Sequence, residues 1–217
     1  QLVPGIKHLN LSTSTSTQMI GGKYLGKKSE KDVIKMMTES VDAAKAFGVE
    51  SIGVNAEDAS RTDISFLLEF ALAAKEQGAH RIRYCDTLGY DNPFTIYETV
   101  KVLAEKVKLP IELHCHGDLG MAVANSIAGA KGVIDGGQDA YINTTINGIG
   151  ERAGNAEGPG TGSIEGGAVS VGCIFNQPES LARGKFHQLR HVSGDNAADV
   201  YDDDAGSIRR EICFHRL

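Results

Sequence analysis

Two rhythms take turns along the first 156 residues of the chain. Short apolar runs rich in β-formers alternate with longer segments whose apolar positions recur at helical spacing. IKHLNLST (6–13) reads as a strand. Residues 27–48 read as a helix: Ser29 is a candidate N-cap, Val33, Met36, Met37, Val41 and Ala44 form one apolar stripe, and Gly48 is a stop. VESIGVNA (49–56) is the next strand, and 63–78 the next helix, ending at Gly78. HRIRYCDTLGY (80–90) is a strand with a polar end, and 92–107 a helix with Pro93 in its first turn. LPIELHCH (109–116) is a strand, 121–135 a helix and QDAYINTTI (138–146) a strand.

Strands alternating with helices at this spacing predict a parallel sheet. Polar residues collect where the strands end: Asn55 to Asp58, Asp86 and Thr87, His114 and His116, and Asn147. That is where (β/α)8 barrels place their chemistry. An open doubly wound sheet shares the rhythm but usually carries a Gly-rich phosphate loop early on, and none is present.

Composition changes this picture little. Hydrophobic content of 41% and charged content of 23% are ordinary for a globular domain. A net charge of −6 gives no reason to expect nucleic acid or an anionic membrane as partner, and no apolar run approaches a bilayer span. Cys85, Cys115, Cys173 and Cys213 show no paired spacing, which fits reduced thiols in a cytoplasmic protein.

The richest stretch is 111–156. His114 and His116 are one residue apart on a strand, so both imidazoles face one side and can reach one metal ion, while Cys115 faces the other. Imidazole suits Mn, Fe, Co or Zn, whereas Mg prefers oxygen. The alternative is a pair of interior histidines that only hydrogen-bond. A second polar cluster, NGIGERAGN, follows the last strand; Asn147 and Gly148 read as a turn, and Glu151 and Arg152 as an ion pair bracing the loop. Glu57 and Asp58 read as stabilisers of their loop or of the next helix. The STSTST run (12–17) reads as a solvated loop, since it lacks the glycines and lysine of a phosphate cradle.

HCHGDLGMAVANS followed by NTTINGIGERAGNA resembles the second signature of the acyl-CoA/2-oxoacid condensing enzymes. These are the homocitrate, isopropylmalate and citramalate synthases, with the hydroxymethylglutaryl-CoA lyases as cousins. The resemblance spans roughly 6–156 and is nearest to homocitrate synthases of the nitrogen-fixation type. It implies a partial (β/α)8 TIM barrel, about strands 3 to 7. It also implies a divalent metal (Mg, Mn, Zn or Co), acetyl-CoA as co-substrate and a homodimer. The implied reaction is a metal-assisted Claisen condensation with 2-oxoglutarate, isopropylmalate or citramalate synthesis being the alternatives. His114 and His116 match metal ligands, and Asn155 a further oxygen ligand, its alternative being a helix N-cap. Thr87, in the D-T-x-G element, matches a threonine that binds a 2-oxoacid carboxylate; its alternative is a turn cap. Asn55 matches a small polar residue near the substrate's distal carboxylate. Gly117 departs from the commoner asparagine, removing no ligand.

The family's opening D-T-T-L-R-D-G strand, which carries a catalytic arginine and a metal-binding acid, is absent from the sequence. The expectation is therefore an N-terminally truncated barrel, weak or inactive alone. Residues 1–156 are expected to form the partial catalytic domain, and 157–217 a divergent, Gly-rich tail that reads as frameshifted or disordered, with one strand expected at 169–175. His187, His191 and His215 lie in that tail and match nothing. Two further readings stay open. One is a hydrolase with HxH in a barrel, although those enzymes carry the motif on their first strand. The other is a non-catalytic metal-binding fragment.

Overall fold

The computed structural model describes residues 6–145, 155–156, 200–201 and 208–214. Five strands run parallel in chain order: β1 (His8–Ser14), β2 (Ser51–Glu57), β3 (Arg81–Asp86), β4 (Ile111–Cys115) and β5 (Ala140–Thr144). Between them lie α1 (Thr17–Lys23), α2 (Glu30–Ala46), α3 (Ile64–Gln77), α4 (Pro93–Val107) and α5 (Ala122–Asp135). Helices α2 to α5 pack on one another in sequence order. Neighbouring strands that are consecutive in the chain, with one continuous helix layer, are the pattern of a barrel wall rather than of a doubly wound sheet. Beyond β5, β7 (Ile208–Phe214) pairs antiparallel and β6 (Val200–Tyr201) pairs with it. The strand expected at 169–175, the Asn147–Gly148 turn and the Glu151–Arg152 pair lie outside the described residues.

The helix signals work locally as expected. Ser29 caps α2 in a reciprocal box with Asp32, Asp63 caps α3, Gly78 ends α3 in the left-handed region at φ 104°, and Asn92 caps α4 ahead of Pro93. Val33, Met37, Val41 and Ala44 bury the predicted face of α2. The STSTST run is not a solvated loop. Ser12 and Ser14 belong to β1, Thr15 and Ser16 are buried, and the Ser16 hydroxyl accepts from the Met19 amide to start α1. Short hydroxyl side chains suggest a solvated loop, but here the carboxylates of Glu57 and Asp58 accept from Ser12, Ser14 and Ser16.

The strands alternate strictly. Leu9, Ile52, Val54, Ile82, Tyr84, Ile111, Leu113 and Ile142 face the helices. The register aligns the opposite face as Asn10, Gly53 and Arg81, then Ser12, Asn55, Arg83 and Glu112, with Cys85 beside His114. Most side chains on this inner face are polar. A Cβ at Gly53 would lie 2.0 Å from Asn10 Oδ1, so a side chain there would push aside the amide to which Arg81 Nη2 donates at 3.3 Å.

Helix α5 meets α4 through a row of small residues. A Cβ at Gly132 would lie 2.4 Å from the Tyr97 carbonyl oxygen, and one at Gly136 2.7 Å from that of Lys101. Backbone cannot step aside as a flexible side chain can. Gly132→Ala is thus expected to lower stability by about 1–3 kcal/mol despite its gain in helix propensity. Gly22→Ala in α1, with nothing within 4 Å, is expected to gain about 0.5 kcal/mol. A denaturant midpoint for Gly132→Ala that holds or rises would show that α5 does not rest on α4 through this glycine.

Candidate functional site

Strand β4 is buried along its whole length. Ile111, Leu113 and Cys115 join the core under the helices, and burial raises the Cys115 thiol well above its usual range, so it stays protonated. His114 and His116 face inward. Their Nε2 atoms stand 3.0 Å apart, with the rings edge to face at 82°. One geometry serves two states. Without an ion, one Nε2–H donates to the other ring. With an ion, the same two ring nitrogens would serve together as ligands.

Asn155 arrives at the same place through backbone pairing. It forms an isolated antiparallel bridge with His116, the Ala156 amide donates to the Cys115 carbonyl at 3.1 Å, and the Thr145 amide donates to the Ala156 carbonyl at 2.8 Å. Residues 155–156 are thereby wedged between the ends of β4 and β5. Bridge partners carry their side chains on one face, so Asn155 lies with His116. Asn155 is 4% exposed, and its Oδ1 accepts no hydrogen bond among the described residues. A buried carbonyl oxygen without a donor is costly, and a cation would satisfy it. Two imidazoles and this amide oxygen fit a metal's donor set, although no cluster of three His, Cys, Asp or Glu side chains exists among the described residues. The helix that Asn155 would cap in the other reading lies outside them.

Below the histidines sits a group the sequence reading missed. Glu112, fully buried, pairs with Arg83 Nη2 at 2.5 Å and Arg81 Nε at 3.1 Å. Asn143 of β5 spans from this carboxylate to the site: its Nδ2 lies 3.4 Å from Glu112 Oε1, and its Oδ1 lies 2.9 Å from His114 Nδ1. The period-two alternation of AYINT could have flagged Asn143, since it shares a face with Tyr141 and is next to His114 in the β4–β5 register.

The loops around the site brace one another. The Asp86 carboxylate faces the helices and accepts from the Tyr90 and Asp91 amides at 2.8 and 3.3 Å. Gly89, at φ 60°, lets that turn press on the next loop: a Cβ would lie 2.8 Å from the His116 carbonyl oxygen. Thr87 is half-buried, and its hydroxyl accepts from the Asp58 amide at 2.9 Å, tying the β3 loop to the β2 loop. Asp58 receives Arg61 through both carboxylate oxygens, and Ser16 besides. Asp58 and Glu57 thus stabilise their loop as read from sequence. Asn55 is 8% exposed on the inner face, and its Oδ1 accepts no hydrogen bond among the described residues.

Residues 4–158 match the HMGL-like family. The chain belongs to this family. It is 72% identical over 154 residues to a citrate (Re)-synthase of Dehalococcoides mccartyi, covering 71% of this chain and 37% of that protein. It is 49% identical over 185 residues to 2-isopropylmalate synthase 2 of Caldanaerobacter subterraneus, covering 85% of this chain and 44% of that one. Homocitrate synthase 1 of a Nostoc species is 38% identical over 155 residues, covering 70% of this chain and 38% of that one. The chain thus spans roughly two-fifths of the length of these relatives. In fold it resembles a hydroxymethylglutaryl-CoA lyase from Pseudomonas aeruginosa, with a TM-score of 0.58 at 17% identity, over 70% of this chain and 53% of that one. These relatives support the family expected from sequence, and leave the nitrogen-fixation type unsupported. No described helix is long and apolar enough to cross a membrane.

Glu57 at the end of β2 offers a test of the loop scaffold. Burial raises its pKa, but hydrogen bonds from Lys23, Ser14 and Ser12 outweigh burial, and the net shift is downward from 4.5. A depressed carboxylate adds stability that is present above its unfolded pKa and lost as pH falls through the folded one. Glu57→Gln is expected to cost about 1 kcal/mol at neutral pH, with the gap to the parent closing below pH 4.5. Equal gaps at pH 7 and pH 3 would show that the charge is not what holds the loop.

Proposed function

We propose that these residues form part of the active site of a condensing synthase that joins the acetyl unit of acetyl-CoA to a 2-oxoacid. The observation that carries this reading is the convergence of His114, His116 and Asn155 at the C-terminal end of the barrel strands, with Asn155 Oδ1 buried and accepting nothing among the described residues. Those three residues would hold a divalent metal. Two nitrogen donors favour Mn, Fe, Co or Zn over Mg. A bound metal supplies Lewis-acid polarisation of the keto carbonyl that the acetyl enolate attacks.

The protein's own groups do the positioning. His114 and His116 aim two imidazole nitrogens at one point. Asn55, on the inner face two strands from His114, is placed to meet the distal polar end of a 2-oxoacid. Thr87, fixed by its bond to the Asp58 amide, holds a hydroxyl at the mouth of β3 for the substrate carboxylate. The arginine and acid of the family's opening strand would complete the site.

On substrate, the identities favour a four-carbon oxodiacid. The relative named citrate (Re)-synthase is 72% identical and the one named homocitrate synthase 38%. Citrate less an acetyl unit is oxaloacetate, so oxaloacetate takes precedence over 2-oxoglutarate, the substrate expected from the sequence motifs. Isopropylmalate synthesis is the second reading, favoured by the 49% identity over 85% of this chain.

The test is release of CoA thiol from acetyl-CoA by the protein that carries these residues, with oxaloacetate, 2-oxoglutarate, 2-oxoisovalerate and pyruvate side by side. Oxaloacetate is expected to give the highest kcat/KM, with citrate as product. A preference for 2-oxoglutarate or 2-oxoisovalerate would overturn the substrate but keep the reaction. His116→Ala is expected to weaken binding of Mn²⁺ or Zn²⁺ by at least about 100-fold, as loss of a direct ligand should exceed the 10–100-fold typical of outer-shell changes. Unchanged affinity would remove the metal from the histidines.

A further inference from the structure

We propose that Asn143 is a positioning residue that fixes the tautomer and ring orientation of His114. The argument starts from the amide. One end of Asn143 lies against Glu112 Oε1 at 3.4 Å and the other against His114 Nδ1 at 2.9 Å. An ionised carboxylate only accepts hydrogen bonds, so the end facing Glu112 must be the NH₂ group. The opposite orientation would set two acceptors against each other in a buried site. Asn143 Oδ1 therefore faces His114, and because that oxygen only accepts, His114 must carry its proton on Nδ1.

The consequence falls on the other ring nitrogen. With Nδ1 protonated, His114 Nε2 keeps its lone pair, aimed at the point it shares with His116 Nε2. Glu112 itself is anchored, fully buried, by Arg81 and Arg83. A fixed ion pair on the inner face thus dictates, through one amide, which nitrogen of a histidine is available as a ligand. A histidine held in the wrong tautomer would have to exchange its proton and lose its β5 contact before binding anything through Nε2.

The measurement is made on the metal-free, ¹⁵N-labelled chain, so it rests on the metal reading only in its second arm. Long-range ¹H–¹⁵N correlation of the histidine side chains reports the tautomer of each ring. The parent is expected to show His114 as Nδ1–H; finding Nε2–H overturns the proposal even if no variant folds. Asn143→Leu, similar in size but without an acceptor, is expected to shift His114 toward Nε2–H. Asn143→Asp, which beside the Glu112 carboxylate takes up a proton on the oxygen facing Glu112 and keeps its other oxygen as the acceptor for His114, is expected to keep Nδ1–H. A leucine variant with an unchanged tautomer, or an aspartate variant that behaves like leucine, overturns it. Titration with Zn²⁺ forms the second arm, where Asn143→Leu is expected to lose 10- to 100-fold in affinity with all ligands present. Parent protein that shows Nδ1–H yet binds no Zn²⁺ would sink the metal site and leave the positioning role standing. Unchanged Zn²⁺ affinity in the leucine variant would show that the amide does not govern the ligand.

Discussion

Strict two-residue alternation along β2 to β5 is the constraint on which everything else depends. Leu113 lies under the helices because its neighbours Glu112 and His114 do not, and the same holds for Tyr84 between Arg83 and Cys85. A slip of one residue in β3 or β4 would put Arg83 or Glu112 into the helix-facing core and Tyr84 or Leu113 into the site. Register is thus fixed twice over, by the apolar face wanting burial and by the inner face wanting partners. Parallel strands buried on both faces usually read as continuous apolar runs. Here the inner face is built from Asn, Arg, Glu and His, each of which needs a specific neighbour.

That choice is expensive. Moving a carboxylate such as Glu112 out of water costs several kcal/mol, which paired arginines offset only when geometry is good. An apolar replacement would be expected to hold the sheet at least as well. What the Arg81–Glu112–Arg83 group provides is direction: a fixed acceptor beneath Asn143, and through it a fixed face of His114. Gly53 belongs to the same arrangement, since any side chain there would displace the Asn10 amide that Arg81 reaches.

Much of this was legible in the sequence. The five strands and four long helices follow from apolar periodicity, and Ser29, Gly78 and Pro93 mark ends that the structure uses. His114 and His116 were legible because two residues apart on a strand means one face. Less was legible wherever a side chain's partner is distant in the chain. Ser12 and Ser14 look solvent-seeking until Glu57 is brought beside them by the β1–β2 pairing. Glu112 looks like a surface charge until Arg81 and Arg83, some thirty residues earlier, are aligned with it. Asn143 sits in an ordinary strand run, and its partners Glu112 and His114 lie about thirty residues earlier in the chain. The placement of Asn155 depends on a single backbone bridge to His116, which local pattern does not encode.

A site at the ends of strands is only as stiff as its loops. Here each loop is held by the next. Asp58 sits in the left-handed region at φ 61°, an unusual conformation for a non-glycine residue, and is kept there by Arg61, Ser16 and the hydroxyl of Thr87. Thr87 precedes the turn that Asp86 organises, and Gly89 in that turn rests on the backbone of His116. Strain at Asp58 is thus held in place by contacts that end at a proposed metal ligand. The β2 loop is thereby joined to the backbone of His116 through the turns at Thr87 and Gly89. Such coupling is what a metal site needs if its donors are to hold their spacing before any ion arrives.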